Sequence, residues 1–117
     1  MLFRSAAPLV RRLADRKTLI IDTLSRGFRA RARKAGLKTN PAFAGIYDFS
    51  PDADLARLFP SFLERLPEGG VVMCHPGKVD AELARLDPLT VLREREYAFM
   101  ADDNFPAVLR SNGVALA

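Results

Sequence analysis

"GGVVMCHPGKVD", residues 69–80, decides how the rest of the chain is read. Val71, Val72, Met73 and Cys74 form an apolar run of strand length behind a Gly-Gly turn, and Pro76 with Gly77 turns the chain away. The run is predicted as a short buried strand. His75, the only histidine in the 117 residues, stands where it stops. The carboxyl ends of strands are where open and barrel-shaped α/β proteins place their chemistry. An imidazole titrates near neutral pH, so His75 is a candidate general acid or base. The plainer alternative is a strand-end histidine bonded to a nearby loop. Neighbouring strand side chains point to opposite faces, so Cys74 is expected in the core and not as a nucleophile paired with His75.

Working outward, the residues before this strand read as a helix. Ser50 and Pro51 suit a cap and first helical position. Asp52 and Asp54 would lie in the first turn, where the helix dipole favours them. Leu55, Leu58, Phe59, Phe62, Leu63 and Leu66 follow helical spacing, with Pro60 expected to kink or restart the helix. Leu37–Asn40 is predicted as a strand ended by Pro41, followed by a loop anchored by Phe43, Tyr47 and Phe49. Earlier still, a helix is predicted over Lys17–Ala35, with Ile21, Leu24, Phe28, Ala32 and Ala35 on one face. Gly36 would stop it, and Gly27 would cost it about 1 kcal/mol relative to alanine. A short helix is predicted over residues 8–16, with Pro8 in its first turn.

After the histidine, Asp87 and Pro88 are predicted to begin the helix "PLTVLREREYAFMAD". A last short helix in "NFPAVLRSNG" would stop at Gly113, and "VALA" would be a final strand. Arg93 and Glu96, three residues apart, are predicted to pair along their helix, with Glu94 elsewhere on the wheel. A merely solvated charged face is the alternative. Helices alternating with short apolar strands predict an α/β fold, with short parallel strands joined by crossover helices. Three strands make a narrow sheet, and parallel sheets are normally covered on both faces. The chain is therefore expected to be a single partial domain, the C-terminal portion of something larger.

Composition narrows the classes. A lone cysteine excludes an internal disulfide. The apolar runs are far below the roughly 20 residues of a membrane-spanning helix, and Arg4, Arg11 and Arg12 interrupt any signal-peptide core. A cytoplasmic protein with no membrane span is the expectation. The net charge of +4 is unevenly spread: residues 1–40 hold 11 Lys/Arg and 2 Asp/Glu (+9), and residues 41–117 hold 7 and 12 (−5). The basic third leaves open an interaction module that binds nucleic acid or an acidic partner through its Arg-rich helix. No Gly-rich phosphate loop or aromatic stacking platform accompanies it, which disfavours nucleic acid.

Taken together, an apolar strand ending "HPG", then "REREYAFM", a short helix and "NGVALA" resemble the C-terminal end of the YdjC-like carbohydrate deacetylases. That group includes chitooligosaccharide deacetylases and hopanoid-biosynthesis-associated, deacetylase-like proteins. "GLKTNPAFAGIYDF" is similar to the family's segment in which a strand with Asn leads into "F-x-G-x-Y-D-F". "FLERLPEGGVVMCHPG" resembles its helix, "LP-x-G" turn and "HPG" strand. The resemblance covers roughly residues 16–117.

It implies a distorted (β/α) barrel, TIM-barrel-like, of which this chain would be the C-terminal part. It implies a hydrolase of N-acetylated carbohydrates, using a divalent metal, Mg²⁺ or similar, held by an aspartate and two histidines. Those ligands belong to "ADDFG"-like and "H-x-H"-like segments that this sequence lacks. The chain is therefore expected to begin after them, to bind no metal tightly and to be inactive alone. By the same resemblance His75 is the catalytic candidate, protonating the leaving amine or orienting the acetyl group. Asn40 is a weaker, substrate-binding candidate, and Arg93 and Glu96 match a charged helix of structural character. A non-catalytic remnant is the third reading. A sheet cut from a barrel would leave bare strand edges, so self-association is expected.

Overall fold

The computed structural model describes residues 27–117 together with Ile20 and Thr23. The predicted helix over residues 8–16 lies outside them. The described elements run α1 (Phe28–Lys34), β1 (Phe43–Ala44), α2 (Leu55–Leu63), β2 (Val71–Val72), α3 (Ala81–Leu86), α4 (Val91–Ala101) and α5 (Phe105–Ser111). This is mixed helix with two short parallel strands, an α/β arrangement. The chain divides into two compact units. The first holds the described residues up to Tyr47 and Ser61–Met73; the second holds Asp48–Pro60 and Cys74–Leu116.

In the first unit, β1 pairs with β2 in parallel, Phe43 opposite Val71 and Ala44 opposite Val72. The Val71 N–H donates to the Ala42 carbonyl at 3.0 Å and the Met73 N–H to the Ala44 carbonyl at 2.9 Å. Ala32, Ala42, Phe43, Ala44, Tyr47, Phe62 and Leu63 form the buried apolar set of this unit. The Tyr47 and Phe62 rings meet at 5.9 Å. Gly45 follows β1 at φ 99°. A Cβ there would stand 2.2 Å from the Met73 carbonyl oxygen, so the backbones approach in a way only glycine permits.

Three strand expectations need correction. Leu37–Asn40 is not a strand; the strand lies further on, at Phe43–Ala44. The physical reason is the end of α1. Gly36, at φ 73°, donates to the Arg33 carbonyl, and Leu37 donates to the Ala32 carbonyl. That pair of bonds closes the helix in a Schellman motif and spends Leu37 as its final residue. Phe43, read as a loop anchor, is instead the buried strand residue. The strand predicted at Val71–Cys74 is regular only over Val71–Val72. The final "VALA" has no strand structure: Val114 donates to the Leu109 carbonyl to finish a second Schellman closure at Gly113, and Leu116 is exposed.

The helices also shift. Of the helix predicted over Lys17–Ala35, Ile20 and Thr23 are helical and α1 begins after Gly27, its N-cap at φ 81°; residues 17–19, 21–22 and 24–26 lie outside the described residues. Ser50 does not cap α2. Its hydroxyl accepts from Asp52 within a turn, and Asp54 takes the cap, Oδ1 accepting from the Arg57 N–H at 3.2 Å. Pro60 lies inside α2, which continues to Leu63 without restarting. Phe59, Phe62 and Leu63, all buried, keep the apolar stripe of that helix continuous.

In the second unit, the helix expected from Asp87 starts at Val91. The Asp87 carboxylate accepts from the Leu89 N–H at 2.8 Å, which holds Asp87–Leu89 as a turn. α3 went unforeseen. Asp80 caps it, accepting from the Leu83 N–H at 2.8 Å, and Glu82 sits in its first turn. The unit's buried apolar residues are Ala53, Leu55, Phe59, Leu92 and Leu109. Phe59, Phe99 and Phe105 form a ring cluster with centroids 5.2 to 5.6 Å apart, tying the end of α4 to α5.

Candidate functional site

His75 lies in the second unit, half-buried, in the irregular segment between β2 and α3. Its ring meets the Phe49 ring edge-on, centroids 5.2 Å apart and planes at 88°. An aromatic edge carries partial positive charge, so this arrangement fixes the imidazole plane without using a nitrogen. Nδ1 is buried and has no hydrogen-bond partner.

The backbone around His75 is held by α4. The His75 N–H donates to the Glu96 carboxylate. The Gly77 N–H donates to the Arg93 carbonyl at 3.1 Å, and the Val79 N–H to Glu94 Oε1 at 3.2 Å. The expected Arg93–Glu96 pair therefore does not form, because both side chains have other uses. Arg93 Nη2 bonds Asp87 Oδ2 at 2.5 Å. That bond, then the Leu89 N–H, hold the Asp87 carboxyl below its ordinary value; the charges of Arg93 and His75 add to this. An ionised carboxylate, a guanidinium and an imidazole thus share one field. Arg93 Nε, like His75 Nδ1, is buried without a partner.

Glu96 is the buried charged residue of the described set. It reaches beyond His75: burial first, and the Glu96 charge second, push the Cys74 thiol up to about 11. Cys74 is half-buried and stays protonated at neutral pH, so it is no nucleophile there. Further along α4, Arg95 reaches back to the carbonyls of Pro51 and, at 2.8 Å, Ala53.

Asn40 belongs to the first unit. Its side-chain amide donates to the Gly69 carbonyl at 3.0 Å, and its own carbonyl accepts from Arg29. Both bonds lie at the surface. In the Arg-rich helix α1, Arg29 likewise serves the Asn40 and Pro41 carbonyls, while Arg31, Arg33 and Lys34 are exposed.

Among the described residues, no group of three or more His, Cys, Asp or Glu is arranged to hold a metal ion. The donor set present does not fit the divalent metal that the resemblance implies. No described helix is long and apolar enough to cross a membrane.

Sequence reasoning singled out His75 and missed its setting: Phe49 as its ring partner, Glu96 as the acceptor of its N–H, and Asp87, on whose carboxyl its charge acts. The signal was present in part. Glu94 and Glu96 alternate with Arg93 and Arg95, but pairing within one helix was considered and pairing with another segment was not.

Fold and site together define an α/β protein with a candidate acid–base centre just past a parallel strand. The chain belongs to the YdjC-like protein family, whose model matches residues 2–111. The match begins upstream of residue 16, where the resemblance was first legible. No curated protein and no solved structure matches the chain.

Proposed function

We propose that this chain is the C-terminal part of a carbohydrate deacetylase, built on part of a distorted (β/α) barrel and acting on N-acetylated sugars. Membership of the YdjC-like family carries the reading, and the setting of His75 supports it. In hydrolysis of an acetamide, a water oxygen bonds to the carbonyl carbon and the C–N bond breaks. The departing amine nitrogen must take up a proton. His75 supplies that proton. Phe49 offers an apolar wall to the ring. No step is assigned to a metal, since the described residues offer no fitting set of ligands.

The test uses the single histidine. Its imidazole signals are the only ones of their kind in a spectrum of the chain. Diacetylchitobiose at millimolar concentration should shift them, and chitobiose, which lacks the acetyl groups, should not. Equal or absent shifts would count against the reading. With Mg²⁺, Co²⁺ or Zn²⁺ added, the chain alone should release no measurable acetate; robust turnover would place a working metal site within these residues. We also propose self-association. The sheet among the described residues has two strands, and a ribbon of that size gains stability when further strands join it. Light scattering should give a mass above the monomer's 12.9 kDa.

A further inference from the structure

We propose that Glu96 is a positioning residue for His75, and that α4 as a whole serves as a clamp on the histidine-bearing segment. Its link to catalysis rests on the acid–base reading of His75; its structural content does not.

Residues 75, 77 and 79 each turn a backbone N–H toward α4. The acceptors are the Glu96 carboxylate, the Arg93 carbonyl and the Glu94 carboxylate. Alternate residues of an extended segment point their N–H groups the same way, so one helix can hold the whole run as a neighbouring strand would. No strand is needed there. Glu96 is 6% exposed, and its helix neighbour Leu92 is 2% exposed. A core position on a helix ordinarily takes an apolar side chain, because a buried carboxylate must recover its lost hydration. Here part of that recovery comes through the N–H of His75 itself. Bonds to a charged acceptor are about twice as strong as neutral ones. The burial of Glu96 therefore fixes the backbone from which the imidazole projects, and the perpendicular contact with Phe49 then fixes the ring. Neither support uses Nδ1, which has no protein partner. The alternation of charge in "REREY" follows directly: Glu94 and Glu96 hold the histidine segment, while Arg93 and Arg95 tie α4 to Asp87 and to the Pro51 and Ala53 carbonyls.

The experiment compares Glu96→Leu and Glu96→Gln in the full chain, with Leu109→Ala, at a buried α5 position, as a control that destabilises the second unit without removing any of the three acceptors. Amide hydrogen exchange and the lone imidazole resonances are read together. Glu96→Leu should speed exchange at His75, Gly77 and Val79 by about tenfold to a hundredfold beyond any global change, and should move the imidazole signals. Glu96→Gln keeps an acceptor and should restore most of the protection and the signal positions. Leu109→Ala should raise exchange throughout the unit, with no excess at those three amides. Should Glu96→Leu prove unfolded, Glu96→Gln still decides, since a native-like imidazole spectrum with His75 protected is required of it. Unchanged exchange at His75 in folded Glu96→Leu overturns the proposal, as does failure of the Gln variant to restore it. If the clamp passes but diacetylchitobiose leaves the imidazole untouched, the deacetylase reading fails and the clamp stands.

Discussion

Residues 71–73 and residues 75–79 are consecutive pieces of one chain, held in two different ways. The first piece joins a parallel ladder with the segment around β1, using main-chain groups on both sides. Its precision comes from shape: the strand pair is flanked by Gly45, where no Cβ fits. The second piece has no strand partner. Its N–H groups are met by α4, two of the three acceptors being carboxylates of side chains. Main-chain pairing tolerates many side chains and depends on space. Side-chain pairing tolerates a change of backbone course and depends on charge. The histidine sits in the piece of the second kind, where its position can be set residue by residue.

The comparison is broken most severely from the side of shape. Gly45→Ala adds a Cβ 2.2 Å from the Met73 carbonyl oxygen at a φ of 99°. Overpacking and left-handed strain together should cost about 4 kcal/mol, read by urea denaturation. A loss below about 1 kcal/mol would mean that the ladder can part without harm.

Next comes the floor under α4. Leu92→Ala should lose about 3 kcal/mol, as large-to-small changes at fully buried sites do, and should raise amide exchange in the clamped segment by weakening its helix. If exchange at residues 75–79 stayed at its original rate while the unit lost stability, the segment would be held by something other than α4.

Asp80→Ala removes the α3 cap and should cost about 1 kcal/mol. α3 buries no residue of its own, so the change should be confined to local exchange in Ala81–Leu86. A cost of about 3 kcal/mol would show that the segment leans on α3 as well as α4.

The smallest effects are those of pH, and two groups flanking the clamped piece in sequence, Cys74 and Asp87, respond at opposite ends of the scale. Asp87 is held below its ordinary value of 3.8. Its contribution is present above that value and is lost as pH falls through the lowered one. Acid should therefore weaken the second unit, and Asp87→Asn should flatten that acid limb. Cys74 is raised from 9.0 to about 11. Its contribution is complete below 9.0 and is lost as pH rises toward about 11. Thiol alkylation by iodoacetamide should accelerate only in that alkaline window. A half-maximal rate near pH 8.5 would mean that neither burial nor Glu96 acts on the thiol as the structure has it.

Much of this was legible beforehand where the signal is local. Gly36 and Gly113 were read as helix stops and close their helices, because the left-handed turn belongs to the glycine itself. The apolar spacing of Leu55–Leu63 gave a helix despite Pro60. Strand limits were read poorly. Leu37–Asn40 and Phe43–Ala44 are both plausible extended stretches, and two contacts decide between them: the closure of α1 takes up Leu37, and the strand forms where the Ala42 and Ala44 carbonyls find Val71 and Met73. α3 was missed because six residues with no buried face give no periodicity, leaving the Asp80 cap as the sole cue.

The candidate site divides along the same line. The sequence by itself determined that one imidazole follows an apolar strand, and that a "REREY" helix of alternating charge comes later. It also carried the family pattern. Which charges meet was decided by tertiary structure alone. Spacing of three residues predicted Arg93 with Glu96, a pair of modest worth on a solvated helix. Burial changed the balance. Once Glu96 is out of water, it needs donors within reach in the core, and Arg93 has Asp87 beside it. Helical geometry sets which side chains could meet; the lost hydration of a buried carboxylate selects the one that does.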